Sequence, residues 1–119
     1  MNGRILIVDD NPNMASLLSE MLEVFDYESI RAGDGFEAIE QIERDHFSLV
    51  ITDMRMPKMS GLDLLKKIKA TNPDLPVVVI SGYALDEEGN SLLSKMADGF
   101  LNKPFKMSDI EDLLRTIVK

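Results

Sequence analysis

The sequence predicts an α/β fold in which one parallel five-stranded sheet carries helices on both faces, and three observations predict it. Three apolar, β-branched runs lack polar alternation, as expected of strands buried on both faces: Ile5 to Val8, Leu49 to Ile51 and Val77 to Ile80. Two more polar runs, Glu28 to Ala32 and Asp98 to Asn102, suit the edges of a sheet. Helical patterns alternate with the five runs, and this alternation indicates parallel strands.

The order of the strands follows from their polarity. Right-handed crossovers leave few ways to arrange five strands that are joined by helices. The polar second and fifth runs belong at the edges, and the three apolar runs belong at the centre. We therefore predict the doubly wound, flavodoxin-like order 2-1-3-4-5, with five helices covering the two faces of the sheet.

The first three helices are predicted from apolar spacing and capping residues. The first carries apolar residues three to four positions apart: Met14, Leu17, Leu18, Met21, Leu22 and Phe25. The second is expected to begin after Asp34. Ser60 and Asp63 have the spacing of a capping box, which predicts the start of the third. The apolar stripe of the third helix is Leu62, Leu65 and Ile68.

The last two helices flank the fifth strand. A fourth helix is predicted between the fourth and fifth strands, where the acidic run Asp86 to Glu88 suits a helix N-terminus. Ser108 and Glu111 have capping-box spacing and predict the start of the last helix. Its apolar stripe is Ile110, Leu113, Leu114 and Ile117.

Composition bounds the class of protein. A chain of 119 residues is large enough to enclose one core, so we predict a single domain over residues 1–119. Its 21 acidic and 13 basic side chains give a net charge of −8, which disfavours direct binding to nucleic acid or to an anionic membrane. The sequence has no cysteine, no long apolar segment and no signal-peptide pattern. We therefore expect a cytoplasmic protein.

Polar side chains follow four of the five predicted strands. Asp9 and Asp10 come directly after the first strand, and Asp53 comes after the third. Ser81 follows the fourth strand and Lys103 the fifth. In open α/β sheets, ligands bind beyond the carboxyl ends of the strands, where the strand order reverses. We therefore expect these five residues to form one site.

The chemistry of such a site is that of phosphoryl transfer. Three neighbouring carboxylates raise one another's pKa unless a cation neutralises them. Lys103 supplies one positive charge, and an all-oxygen set of ligands suits a hard cation such as Mg²⁺. With both cations on the oxygens of a phosphoryl donor, one carboxylate can attack phosphorus in line and become an aspartyl phosphate. Asp53, at the end of a central strand, is the best candidate for this nucleophile.

Each of these residues also has a purely structural interpretation. Aspartates after a strand often only initiate turns, Ser81–Gly82 suits a plain strand end, and Lys103–Pro104 suits a rigid loop. Phe100 fits an ordinary core position. His46, the one histidine, follows a charged stretch and is expected to face solvent without a metal role. Only the coincidence of the acids with Lys103 favours a functional site.

Four stretches of the sequence, ILIVDDN, DMRMPKMSG, VVVISGYA and DGFLNKPF, resemble the receiver domain of bacterial two-component response regulators in order and in spacing. The resemblance covers the whole chain. It implies that Asp53 is the phosphoacceptor and a metal ligand, that Asp10 binds Mg²⁺ directly and that Asp9 binds it through water. It also implies that Arg55 contributes its main-chain carbonyl to the metal.

The resemblance implies a switch as well. Ser81 would turn its hydroxyl toward the phosphoryl group, Lys103 would pair with that group, and Phe100 would act as the switch aromatic. The bond between Lys103 and Pro104 is expected to be cis, which aims the lysine into the site. Phosphorylation would then change the face formed by the fourth helix, the fifth strand and the last helix.

Three positions depart from the pattern of that family, and two others are expected to affect the lifetime of the phosphoryl group. Ser81 stands where threonine is common, so the hydroxyl lacks the methyl group that restricts its rotamers. Phe100 replaces the frequent tyrosine, so a ring movement would lack a phenolic hydrogen bond. Met96 replaces the usual glycine, so the fourth helix lacks an easy left-handed cap at its C-terminus. Arg55 and Tyr83 are expected to overhang the site and to slow hydrolysis of the acyl phosphate.

The leading interpretation is a signalling switch that accepts a phosphoryl group from a histidine kinase or a phosphotransfer protein. It would catalyse only its own phosphorylation and slow dephosphorylation, and it would act on a downstream protein or a linked output domain. One rival is an aspartyl phosphatase, although such enzymes usually carry a second acid where this chain has Arg55. A flavin-binding module and a docking module that is never phosphorylated are further rivals. The sequence leaves open whether the chain stands alone or belongs to a longer protein.

Overall fold

The computed structural model describes residues 3–54, 56, 58–81, 96–102 and 105–117. The described elements are, in chain order, β1 (Gly3–Val8), α1 (Pro12–Val24), β2 (Tyr27–Ala32), α2 (Gly35–Arg44), β3 (Leu49–Asp53), α3 (Gly61–Thr71), β4 (Val77–Ser81), β5 (Gly99–Asn102) and α4 (Met107–Ile117). Residues 82–95, where the sequence predicts its fourth helix, lie outside the described residues. The five predicted strands and the other four predicted helices are therefore present.

The sheet has the predicted topology. Every pairing between neighbouring strands is parallel, and the pairings give the order β2-β1-β3-β4-β5, so the predicted strand order is confirmed. Val8 lies opposite Thr52 and Asp53 lies opposite Ile80. Ser81 is the last residue of β4. The carboxyl ends of the three central strands therefore lie side by side.

The central strands bury both of their faces. Ile5, Leu6, Ile7 and Val8 of β1 are at most 1% exposed. Since successive side chains of a strand point to opposite faces, Ile5 and Ile7 pack with apolar residues of α1 and α4, whereas Leu6 and Val8 pack with those of α2 and α3. This burial on two sides explains why the central runs of the sequence lack polar alternation.

Side-chain caps fix the starts of three helices. Asn11, Asp34 and Ser60 accept main-chain N–H bonds of 2.9 to 3.3 Å at the starts of α1, α2 and α3. The starts that were predicted at Asp34 and Ser60 are confirmed. None of the helices that the structure describes is long and apolar enough to cross a membrane.

Two details of the predicted helices are wrong. Ser108 does not cap the last helix, because α4 already begins at Met107. Instead the Asp109 carboxylate accepts a 2.7 Å bond from the N–H of Lys106, the residue that precedes the helix. Leu17 is 45% exposed although the spacing put it in the buried stripe of α1. A three-to-four spacing spreads over a broad arc, and the residues at the rim of that arc stay in contact with solvent.

Candidate functional site at the carboxyl end of the sheet

Three aspartates meet where β1 and β3 end. Asp9 and Asp10 follow Val8, Asp53 follows Thr52, and Val8 and Thr52 are paired across the two strands. One carboxylate oxygen from each aspartate lies within 4.8 Å of the others. Asp9 is 1% exposed and Asp53 is 9% exposed, whereas Asp10 is open to solvent. We call these three residues the acidic cluster, and their predicted convergence is observed.

Asp9 is fixed by its main chain and its side chain. Its N–H donates a 3.1 Å bond to the carbonyl of Ala32 in β2. Its carbonyl accepts a 3.2 Å bond from Nε of Arg31, and its Oδ1 accepts a 2.9 Å bond from the N–H of Asn11. These bonds tie the end of β1 to the end of β2 and orient the Asp9 carboxylate.

Asp53 is fixed by the peptide that follows it. The N–H of Met54 donates a 3.0 Å bond to Oδ1 of Asp53 and lies 3.1 Å from the carbonyl of Ile80. The hydroxyl of Thr52, which is fully buried, donates a 3.1 Å bond to the carbonyl of Asp53. The Asp53 carboxylate is therefore held at the end of a strand that is paired on both sides.

Gly61 allows α3 to begin directly against this strand end. Its N–H donates a 2.9 Å bond to the carbonyl of Met54. A Cβ atom at position 61 would lie only 2.5 Å from the carbonyl oxygen of Asp53 and 2.9 Å from Cα of Met54. No side chain fits between these main-chain atoms, so the position requires glycine. This role of Gly61 is not among the predictions from the sequence, although a glycine beside the capping residue Ser60 is the signal that could have indicated it.

The ligand set of the acidic cluster fits a hard divalent cation. Carboxylate oxygens are the ligands that Mg²⁺ prefers, and like charges at this spacing repel one another unless a cation lies among them. Oxygens that bind one Mg²⁺ directly lie at most about 4.2 Å apart, because each is about 2.1 Å from the ion. Carboxylate oxygens within 4.8 Å of one another suit one shared ion that they bind directly or through water.

The other predicted site residues are described only in part. Ser81 ends β4, and the main-chain register sets it opposite Asn102 of β5. Phe100 lies in β5 and is 44% exposed. His46 is exposed, as predicted. Outside the described residues lie Arg55, Tyr83, Lys103 and Pro104.

Comparisons with known proteins agree with one another. The family model of the response regulator receiver domain matches residues 5–115. A probable transcriptional regulatory protein of Mycobacterium tuberculosis, TcrX, is 33% identical over 115 residues, which are 97% of this chain and 49% of that protein. The transcriptional regulatory protein ZraR of Escherichia coli K12 is 36% identical over 118 residues, which are 99% of this chain and 26% of that protein. The chain thus spans half or less of the length of these relatives.

A solved structure is similar over almost its whole length. The response regulator TrrA of Thermotoga maritima, in complex with Mg²⁺ and BeF, matches with a TM-score of 0.87 and 31% identity. The match covers 97% of this chain and 98% of that one. At this identity the likeness extends beyond the fold to the sequence.

Proposed function

This chain belongs to the response regulator receiver domain family of two-component signalling, and from that premise we propose that Asp53 accepts a phosphoryl group in a Mg²⁺-dependent reaction. The observation that supports the proposal is the convergence of Asp53 with Asp9 and Asp10. We assign direct metal binding to Asp10 and Asp53, metal binding through water to Asp9, and a main-chain carbonyl ligand to Arg55.

The proposed reaction is an in-line displacement at phosphorus. A carboxylate oxygen of Asp53 forms the new O–P bond while the bond from phosphorus to the leaving group breaks. When the donor is a phosphohistidine, the leaving imidazole takes up a proton. The Met54 N–H, 3.0 Å from Oδ1, keeps the carboxylate oriented through this step. Bound Mg²⁺ supplies positive charge for the phosphoryl oxygens.

We propose that phosphorylation is read out along β4 and β5. Ser81 and Lys103 donate hydrogen bonds to the new phosphoryl oxygens, and Phe100 changes position when Ser81 moves. The strand register supports this path, because Asp53 pairs with Ile80 and Phe100 pairs with Val79. One or two charge-assisted hydrogen bonds are worth the few kcal/mol that reverse a two-state equilibrium. NMR with beryllofluoride as the phosphoryl mimic tests the path, and unchanged signals at Phe100 would contradict it.

The partners follow from the reaction. A histidine kinase or a histidine phosphotransfer protein is the proposed donor. A downstream protein, or an output domain linked to this one, is the proposed target, since TcrX and ZraR are longer transcriptional regulators that contain a region similar to this chain. Cytoplasmic location is proposed because the donors and targets of such domains act there.

Labelling by acetyl phosphate tests the proposed function. The wild type is incubated with acetyl phosphate and Mg²⁺, and the phosphoryl adduct is measured by intact mass. Asp53→Asn is expected to abolish labelling, because the amide lacks a nucleophilic carboxylate. Asp63→Asn is the matched control, since Asp63 is an exposed aspartate in the first turn of α3. It is expected to label as the wild type does.

Three outcomes would contradict the proposal. Labelling of Asp53→Asn at the wild-type level would move the phosphoacceptor elsewhere. Labelling that is insensitive to EDTA would contradict the proposed role of the metal in the reaction. Steady release of phosphate from simple monoesters, without a labelled intermediate, would favour the aspartyl phosphatase. Phosphoryl lifetime is measured in the same assay, and Arg55→Ala and Tyr83→Ala are expected to shorten it.

A further inference from the structure

The end of β2, the turn after it and the first residue of α2 contact Asp9 on one side and the segment that follows Asp53 on the other. We call residues Arg31–Gly35 the brace. On one side, the brace holds Asp9: the carbonyl of Ala32 accepts the N–H of Asp9 at 3.1 Å, and Nε of Arg31 donates to the carbonyl of Asp9 at 3.2 Å. Both bonds involve the main chain of Asp9, so they fix the end of β1 whether or not the Asp9 carboxylate is protonated or bound to a metal.

On its other side, the brace holds the loop that follows Asp53. Met59 is 5% exposed, and its side chain lies directly on the main chain of Gly35. A Cβ atom at position 35 would lie 2.5 Å from Sδ of Met59 and 3.0 Å from its Cβ and Cγ. Nζ of Lys58 lies 3.6 Å from Oδ2 of Asp34, the N-terminal cap of α2. Two adjacent loop residues are therefore seated on two adjacent residues of the brace.

The backbone of this loop is constrained at the same place. Lys58 has a φ of 71°, in the left-handed region that non-glycine residues rarely adopt. In this conformation Lys58 lies beside Asp34, and Met59 lies beside Gly35. At its root, the loop is closed by the 2.9 Å bond from the N–H of Gly61 to the carbonyl of Met54. Met59 therefore lies two residues before Gly61, whose N–H is bonded to the residue that follows Asp53.

We propose that the brace is a positioning element for the metal site: it contributes no ligand, but it sets the position of the Asp53 loop relative to Asp9 and thereby the affinity for Mg²⁺. The inference rests on the proposed function, because it takes Mg²⁺ as the ion that the acidic cluster binds. Residues that orient metal ligands without touching the metal commonly contribute tenfold to a hundredfold in affinity.

Gly35→Ala is the variant that tests the brace, and Gly33→Ala is its matched control. The added methyl at position 35 meets Sδ of Met59 at 2.5 Å and its Cβ at 3.0 Å, so the Met59 side chain must turn and its Cβ must give way by a few tenths of an ångström. At position 33 the nearest atom is Oε2 of Glu37 at 3.6 Å, an ordinary contact. The Mg²⁺ affinity of each full chain is measured by titration calorimetry, at a temperature where circular dichroism finds the protein folded. We expect about tenfold weaker binding for Gly35→Ala and wild-type binding for Gly33→Ala.

Two further variants keep the inference falsifiable. Met59→Ala combined with Gly35→Ala removes the Cγ and Sδ contacts and is expected to recover part of the lost affinity, which a general loss of stability would not do. Lys58→Ala removes the neighbouring contact, the one with Asp34, without crowding and is expected to weaken binding about twofold to fivefold. If Gly35→Ala fails to fold, the Mg²⁺ affinity of Lys58→Ala tests the role of the brace.

The results separate this inference from the proposed function. Failure of the wild type to bind Mg²⁺ would overturn the proposed function itself. Wild-type affinity in both Gly35→Ala and Lys58→Ala, with Mg²⁺ binding intact in the wild type, would overturn only the role of the brace. Equal weakening in Gly35→Ala and Gly33→Ala would also overturn it, because position 33 does not contact the loop.

Discussion

Carboxylates lie at both ends of the sheet, in opposite electrostatic surroundings. At the amino end, Oδ2 of Asp98 accepts a 2.7 Å bond from Nζ of Lys69 and a 2.8 Å bond from the N–H of Val77. Nζ of Lys69 also donates a 2.9 Å bond to the carbonyl of Leu75. One carboxylate thus meets one ammonium group, and together they join α3, β4 and the start of β5. At the carboxyl end, the acidic cluster instead gathers like charges.

The two ends differ in what their charges do. The pair of Asp98 and Lys69 neutralises itself and satisfies main-chain groups, which is the arrangement that stabilises a fold. The acidic cluster brings carboxylates within 4.8 Å of one another, which opposes folding until a cation binds. The first arrangement suits a structural ion pair, and the second suits a binding site whose ligand comes from solution.

The largest expected effect concerns the packing beneath the acidic cluster. Gly61→Ala sets a methyl group 2.5 Å from the carbonyl oxygen of Asp53, and neither main chain can yield without breaking β3 or α3. We expect the free energy of unfolding to fall by about 3 kcal/mol or more, the upper range for overpacking. Gly33→Ala should change it little. Urea denaturation of both variants measures the difference, and a small loss for Gly61→Ala would show that this end of the sheet is more pliable than the distances indicate.

Bound Mg²⁺ should turn the repulsion within the acidic cluster into a net stabilisation of that end of the sheet. At a Mg²⁺ concentration of about 100 times Kd, the wild type should gain about 2.7 kcal/mol in the free energy of unfolding. Asp10→Asn should lose most of this gain, because it removes a proposed ligand. Asp98→Asn should keep the gain in full. Thermal unfolding with and without Mg²⁺ measures it, and an equal gain in Asp10→Asn would separate the stabilisation from the acidic cluster.

Neutralising one carboxylate should have opposite consequences at the two ends in Mg²⁺-free buffer. Asp98→Asn weakens two charge-assisted bonds, and we expect a loss of about 1–2 kcal/mol, since the Asp98 side chain is 38% exposed. Asp10→Asn relieves repulsion, so it should leave the stability unchanged or raise it. Urea denaturation measures both. If Asp10→Asn destabilised the protein as much as Asp98→Asn does, the contrast between the two ends would be wrong.

The smallest expected effect is a pH dependence of the stability that arises from Asp34 in the brace. The N–H of Glu37 and the charge of Lys58 lower the pKa of Asp34 below its ordinary value of 3.8. A carboxyl with a lowered pKa stabilises the fold above its unfolded pKa and loses that contribution as the pH falls through its folded pKa. Asp34→Ala also removes the cap of α2, so it should lower the thermal midpoint by a few degrees at pH 7, and the loss of the titrating carboxyl should flatten the decline of the midpoint below about pH 4. Parallel declines in the wild type and the variant would contradict this assignment.

Much of the fold could be predicted because strands that are buried on both faces have a simple sequence pattern. The runs Ile5 to Val8 and Val77 to Ile80 are apolar at every position since each residue faces a core, and their observed burial is nearly complete. Asp34 and Ser60 were predictable as caps because their side chains satisfy main-chain donors only three residues away. Convergence of the acidic cluster followed from strand order alone.

The rest depended on contacts between residues that are distant in the sequence. The contact of Met59 with Gly35 joins the segment after β3 to the first residue of α2, and no spacing rule predicts it. The bond from Arg31 to the carbonyl of Asp9 links residues on two strands, where only the register brings them together. Ser108 was predicted as a cap from its spacing to Glu111, but the observed bond, from the N–H of Lys106 to the carboxylate of Asp109, is equally compatible with local sequence rules.

The pairing of Val8 with Thr52 has a consequence for how the chain can change its length. Inserting or deleting one residue within β1 or β3 would shift the remainder of that strand by about 3.3 Å and turn each of its later side chains to the opposite layer. The acids would leave their meeting point, and each later apolar side chain would face a layer that is packed to fit a residue of different shape. Insertions and deletions are therefore expected to be tolerated only between helices and strands. Within β1 and β3, the register that packs the core is the same register that positions the acidic cluster.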